Sequence, residues 1–518
     1  MSIIKWRLVF LVFTIIYAIL VSINLSTAPM QWDEAVHLND ATLLLSGENE
    51  QLNYFYPPLF DIVTVVFFRV FGASVFSGRL VSVAFSLISL WVVFELAYRM
   101  YDAKTALTAS ILLGIFPGYF WLSRVAMIEI MLVFFFTVAM LCFFCWLRKS
   151  EYKSLVLCGL ALGLGVLAKY QMVIAAAVMI VSMLLLVRDH IKLRFSRFAL
   201  IIIIAIAVVT PWIIISYNVY ASKMLDNWIY ALDIGNPAKS IYSERYPLPF
   251  FYLIEMTWSY SNVHPISVIV YIASLLGLGL FALRRKREDK FLLTWFTIVF
   301  IFFTLIPNKH WRYVLPLFPV LTISVANLIF WIYKKAEKKL QEKMYKIKKQ
   351  LVKIAVGLFT VFIAMGVVLS ANDSYCQVAQ DQFQIDVEGA TKYASSNLNQ
   401  NESIMLLCPF NFFNQNMIKF YLYTDAMKKN QVYQYPELPV DSYTPYFNIT
   451  EFIDLCKQNN VKYVFTYEFG GVIPYYNTTL NLHQIYTELY DSENFTHISN
   501  EATFGSNPRR IFILTFIG

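Results

Sequence analysis

The chain has 518 residues, of which 58% are hydrophobic, 17% aromatic and only 15% charged. Soluble domains carry about a quarter charged residues, so an ordinary soluble protein is excluded and most of the chain belongs in lipid. Residues 1–374 hold 34 Lys and Arg against 20 Asp and Glu, and residues 375–518 hold 8 against 14. The net charge of +8 is therefore not a nucleic-acid footprint, because it sits in the loops that orient a membrane protein.

Apolar runs long enough to cross about 30 Å of hydrocarbon lie near 6–26, 79–99, 105–122, 125–147, 154–169, 170–187, 198–219, 264–283, 291–306, 312–333 and 351–371. The first, Leu8 to Ile23, lacks a small-residue cleavage site and reads as an uncleaved span. With the N-terminus inside, residues 1–374 place 25 basic residues in cytoplasmic segments and 9 outside, the bias that sets orientation. The apolar stretch Pro58 to Phe71 would reverse that bias if it crossed. It is short, follows Pro57 and reads as a helix lying along the outer interface. The six glycosylation sequons at Asn24, Asn372, Asn401, Asn448, Asn477 and Asn494 all fall on the predicted outer side.

The first exterior loop, 27–78, opens Gln31-Trp32-Asp33-Glu34-Ala35-Val36-His37. Asp33, His37 and Asp40 recur at helical spacing and can share one face. Two adjacent carboxylates this near lipid are costly unless used or paired; the alternative is that one of them caps the helix. Tyr54-Phe55-Tyr56-Pro57-Pro58-Leu59 and Ser77-Gly78-Arg79-Leu80 follow. Arg124 and Glu129 lie at the outer end of the fourth span, and Lys169 at the outer turn after the fifth. Lys309, His310 and Arg312 stand at the outer entry of the tenth. Each cation alone could be snorkelling from a helix end. Together they suit an anionic lipid headgroup, with a carboxylate as proton acceptor.

The eleventh span ends near Ala371, which puts the tail outside. Strand patterns at Ile404–Leu407, Tyr463–Tyr467 and Ile511–Phe516 alternate with helical ones at Asp381–Leu398, Ile449–Asn459 and Leu480–Tyr490. The fold class is a polytopic α-helical membrane protein with about eleven spans, in residues 1–374, and a C-terminal extracytoplasmic α/β domain, in residues 375–518. Cys142, Cys145 and Cys158 fall in apolar helices; Cys376, Cys408 and Cys456 suffice for one disulfide but not a framework. The tail has no Gly-rich phosphate loop and no metal-spaced Cys/His set, and whether a divalent metal takes part is left open.

Five stretches together resemble the GT-C glycosyltransferases, in the branch of protein O-mannosyltransferases and lipid A aminoarabinose transferases. They are Trp32-Asp33-Glu34, Tyr56-Pro57-Pro58-Leu59, Gly78-Arg79-Leu80, the run from Gly159 to Lys169-Tyr170, and Lys309-His310-Trp311-Arg312-Tyr313-Val314-Leu315-Pro316. The resemblance implies sugar transfer from a polyprenyl-phosphate donor to a protein, lipid or glycan acceptor on the non-cytoplasmic face. It implies Asp33 as catalytic base, with Glu34 beside it and Glu129 as a second acid. Arg79, Lys169 and Arg312 would meet the donor phosphate or the acids, within a binding set that also takes in His37, Tyr56, Arg124, Lys309 and His310. The aminoarabinose transferases have Glu-Lys where this chain has Phe55-Tyr56, which leaves the donor sugar open. A phosphate leaving group needs no carboxylic acid to protonate it, so one base with cations suggests a single inverting displacement. The charges also fit a transporter path or a membrane-anchored binding protein. Transporter sites, however, sit near the bilayer midplane on broken helices, whereas these charges lie at the outer edge.

Overall fold

The structure is a computed structural model that describes residues 3–48, 52, 56–186, 191–220, 226, 229, 250–258, 264–306, 309–341, 346–380, 385–407, 413–435, 448–469, 482–497, 503–506 and 509–518. The chain divides into two compact units. The first comprises Met1–Ile23, Tyr54–Phe60 and Arg79–Ala379; the second comprises Asn24–Asn53, Asp61–Gly78 and Gln380–Gly518. This differs from the expected boundary at 374, because most of residues 27–78 cluster with the C-terminal residues.

In the first unit, every apolar run predicted to span is helical over most of its length. The helices are α1 (Ile3–Ser22), α4 (Val75–Met100), α5 (Ala103–Ile115), α6 (Pro117–Leu122), α7 (Ile128–Lys149), α8 (Tyr152–Ala168), α9 (Ile174–Leu186) and α10 (Ile191–Tyr220). They continue with α11 (Phe251–Glu255), α12 (Val268–Arg284), α13 (Arg287–Leu305), α14 (Phe318–Gln341) and α15 (Lys346–Gln380). By length and composition, six helical stretches among the described residues can cross a membrane: Ile3–Ser22, Val75–Met100, Ile128–Lys149, Phe195–Val219, Trp311–Gln341 and Ile347–Cys376. Apolar side chains such as Leu8, Ile15, Ile203, Ile214, Leu358 and Val361 are exposed on α1, α10 and α15. That is the pattern of helices whose outer faces meet lipid.

The predicted run 105–122 is two helices rather than one. Proline disfavours the helical conformation of the residue before it, and Phe116 before Pro117 is accordingly extended, with φ −64° and ψ 120°. The Gly-rich span has a packing reason. A Cβ on Gly159 would stand 2.8 Å from Ile204 Cβ, and one on Gly163 would stand 2.7 Å from Val208 Cβ. These two glycines, four residues apart, let α8 lie against the backbone of α10. Gly163→Val should therefore lower stability by about 1–3 kcal/mol through overpacking. Gly279 on α12 has nothing within 4 Å of its Cβ position, and Gly279→Ala is the control. Thermal unfolding in detergent checks both; equal effects would contradict the packing account.

In the second unit, α2 (Trp32–Ser46) precedes α3 (Leu59–Phe71), most of which belongs here. Thirteen helical residues span about 20 Å, short of the hydrocarbon thickness. Asp61, Thr64 and Phe68 of α3 are buried while Ile62, Val66 and Val70 are exposed. The C-terminal residues form α16 (Val387–Asn397), β1 (Ser403–Leu407), α17 (Gln415–Ala426), β2 (Val432–Tyr435), α18 (Ile449–Gln458) and β3 (Val461–Phe469). After them come α19 (Leu482–Asp491), β4 (Phe495–His497), β5 (Thr503–Ser506) and β6 (Arg509–Phe516). The sheet runs β2-β1-β3-β6-β4, with β5 also on β6. The pairs β1–β2 and β1–β3 are parallel, and β6 is antiparallel to β3, β4 and β5. All five residues of β1 are buried, as a strand covered on both faces requires.

Helix α2 packs on α17, and the Phe68 and Phe420 rings lie 6.3 Å apart. These contacts draw residues 24–53 and 61–78 into this unit. A Cβ on Gly78 would collide with the Leu38 side chain of α2, which accounts for glycine before Arg79. Cys376 and Cys456 are free thiols, and Cys408 lies outside the described residues.

Candidate active site

In the first unit, a carboxylate in the first turn of one helix is shared by two cations from distant segments. Glu129 is in the first turn of α7 and is 3% exposed. Lys169 Nζ donates to Glu129 Oε1 at 2.9 Å, and Arg312 Nη1 lies 3.6 Å from the same oxygen. Glu129 Oε2 is buried without a hydrogen-bond partner among the described residues.

Local structure delivers each cation. Lys169 has extended backbone, φ −158° and ψ 127°, between α8 and the 3-10 turn Tyr170–Val173. The Trp212 indole N–H donates to the Tyr170 hydroxyl at 3.1 Å, which anchors that turn to α10. The Lys169 ammonium also lies 5.4 Å from the centre of the Tyr313 ring, within cation–π range. Arg312 is the second residue of the 3-10 turn Trp311–Leu317, and its backbone N–H donates to His310 Nδ1 at 3.1 Å. An accepting Nδ1 puts the imidazole proton on Nε2. Burial, reinforced by the Arg312 and Lys169 charges, holds His310 well below its ordinary value, so it stays neutral.

Other predicted residues have structural partners. Lys309 Nζ donates to the Thr304 carbonyl at 2.8 Å and also to Ile306 O. It thus satisfies carbonyls at the C-terminus of α13, where a cation is favoured. Arg124 Nη1 donates to Val21 O at 2.9 Å, at the C-terminus of α1. Arg79 is wholly buried in α4, and Tyr56 is half-buried ahead of α3.

The predicted acids Asp33 and Glu34, with His37, belong to the second unit. They differ sharply. The N-cap of α2 is Gln31, whose backbone N–H donates to Glu34 Oε2 at 3.1 Å in a capping box. Glu34 is 0% exposed, and its carboxylate closes that box. Asp33 is neither the cap nor fully buried.

In the second turn of α2, His37 Nδ1 lies 2.9 Å from Asp61 Oδ1 of α3. Burial lowers the His37 pKa, but the Asp61 carboxylate, with Asp40 and Asp33, outweighs it and raises His37 above its ordinary 6.5. A raised folded pKa contributes stability that is complete below about 6.5 and is lost as pH rises through the folded value. The unfolding temperature should fall across that window, and Asp61→Asn should flatten the fall. An unchanged slope in Asp61→Asn would remove the pair as its cause. Asp61 is not among the residues the sequence singles out, since its helix reads as an apolar interfacial segment. An acid in the first turn of such a helix is the signal that marks it. Among the described residues, no group of three or more His, Cys, Asp or Glu is placed to hold a metal ion.

The family of dolichyl-phosphate-mannose-protein mannosyltransferases matches residues 56–215. The undecaprenyl phosphate-alpha-4-amino-4-deoxy-L-arabinose arabinosyl transferase 1 of Proteus mirabilis is 25% identical over 376 residues, 68% of this chain and 64% of that protein. Among solved structures, ArnT from Cupriavidus metallidurans in the apo state superposes with a TM-score of 0.67 at 14% identity, covering 98% of each chain. The fold is that of the GT-C glycosyltransferases. The Archaeoglobus fulgidus oligosaccharyltransferase has this GT-C fold as well, with a TM-score of 0.59 at 13% identity over 88% of this chain and 69% of that one. The resemblance to the GT-C glycosyltransferases thus holds. The chain spans less than two thirds of the length of the curated relatives it matches, 64% of the first and 46% of the second Proteus mirabilis transferase.

Proposed function

We propose that this chain transfers a sugar from a polyprenyl-phosphate-linked donor to a hydroxyl of a glycan, lipid or protein acceptor on the non-cytoplasmic face of the plasma membrane. The observation that carries the reading is Glu129 shared by Lys169 and Arg312. One carboxylate against two cations leaves a net positive charge in a buried place, which suits a departing lipid phosphate. The relatives agree in chemistry: one is named for undecaprenyl phosphate, and ArnT has been solved bound to undecaprenyl phosphate.

Asp33 is the base that takes the acceptor proton, and Lys169 and Arg312 hold the donor phosphate. Glu129 positions both cations. His310, neutral and carrying its proton on Nε2, offers a further donor. With no acid needed to protonate the leaving oxygen, the displacement is a single inverting step. The tail beyond about residue 375 lies outside the cell, and the helices of the first unit carry the chain across the bilayer as a multi-pass protein.

The test uses membranes with and without the chain and a panel of radiolabelled polyprenyl-phosphate-linked sugars. Label should leave the donor lipid only where the chain is present. Equal transfer, or none from any donor, would overturn the reading.

A further inference from the structure

The second unit contains a cleft of about 280 Å³ that the reading above does not use. One wall is α2 and the other is α17 with the segment that leads into β2. Its walls include Asn39, Asp40, Asn416, Lys419, Tyr423 and Gln431, with Val36 and Leu43 as apolar members. Two neighbouring lysines are already engaged: Lys428 donates to the Ser395 and Leu398 carbonyls, and Lys429 pairs with Glu48. Lys419 is half-buried beside Asp40 and makes no hydrogen bond among the described residues. Burial pushes its ammonium below the ordinary value despite Asp40. A half-buried cation without an acceptor is costly unless a ligand supplies one.

Position adds a second argument. Asp40 follows Asp33 by seven residues on α2, two turns or about 10 Å along one face. A chain lying in the cleft would have a neighbouring unit within reach of Asp33. The lining alternates amides, a carboxylate, an ammonium and a phenol. Sugar hydroxyls both donate and accept and can pair with all of these, and the Tyr423 ring offers a flat face.

We propose that this cleft is a glycan-binding site that holds a polyhydroxylated acceptor chain for transfer at Asp33. The acceptor role rests on the glycosyltransferase reading; glycan binding does not. The experiment places a benzophenone amino acid at position 423 of the full chain in its own membranes, with position 431, which is exposed, as a second site. After irradiation the purified chain is probed for added carbohydrate by periodate oxidation and hydrazide labelling, against an unirradiated control. A light-dependent glycan adduct is expected, reduced at least about tenfold by Lys419→Met. A protein-only adduct, or none at both sites, would overturn the proposal, as would an adduct indifferent to Lys419→Met. A glycan adduct without sugar transfer from any polyprenyl-phosphate donor would overturn the enzymatic reading and leave the glycan site standing.

Discussion

Asp33→Asn should lower the transfer rate by about 10²–10⁴-fold, the usual effect of losing a general base, while donor affinity changes little. Cap loss does not explain such a result. Gln31 is the N-cap of α2, and Glu34 completes its capping box. Asp33 sits inside the first turn, where an uncharged replacement forfeits about 0.3–1 kcal/mol of helix-dipole interaction. That is too little for the expected rate loss, since a 10²-fold effect needs about 2.7 kcal/mol. Glu34→Gln is the matched control. Glutamine also serves in a capping box, so its turnover and stability should stay near normal. Near-normal turnover in Asp33→Asn would remove Asp33 as the base and leave Glu129 as the acid to test.

Lys169→Met and Arg312→Met should each weaken donor binding by about 1.5–3 kcal/mol, the cost of a lost hydrogen bond to a charged group. Both also disturb a buried ion pair, and removing one partner of such a pair destabilises by about 3–5 kcal/mol because a charge is left uncompensated. The second effect could masquerade as the first. Combining Lys169→Met with Glu129→Gln separates them, because the neutral amide no longer needs the lysine. Stability should recover in the double variant while donor affinity stays low. Recovery of both would mean that Lys169 serves Glu129 alone, and Arg312 would then be the cation to test.

The sequence shows the helical segments well because apolar runs of this length have few alternatives in lipid. Lys169 is legible from the motif it closes, and Glu129 and Arg312 from a topology set by cytoplasmic charges. Their meeting on one oxygen is not legible, since it depends on the extended break at Lys169 and the 3-10 turn after His310. The unequal roles of Asp33 and Glu34 follow from their helical spacing, but not which one is buried. Helix α17 is not among the segments the sequence marks out, although Asn414 caps it through the Asn416 and Met417 N–H groups. The cleft consequently has no sequence signature: its walls lie hundreds of residues apart and meet only because α17 packs on α2. Asp61 is hidden for a similar reason, its partner His37 being on another helix.

The central claim is that the bond broken joins a sugar to a lipid-carried phosphate. It is tested most directly with purified chain in lipid nanodiscs, a doubly labelled polyprenyl-phosphate sugar and host membrane extract as acceptor. The two labels are then followed together. The account predicts one free polyprenyl phosphate for each sugar transferred, both abolished in parallel by Asp33→Asn. Sugar that stays on the lipid, or carrier phosphate released without transfer and unaffected by Asp33→Asn, would contradict it.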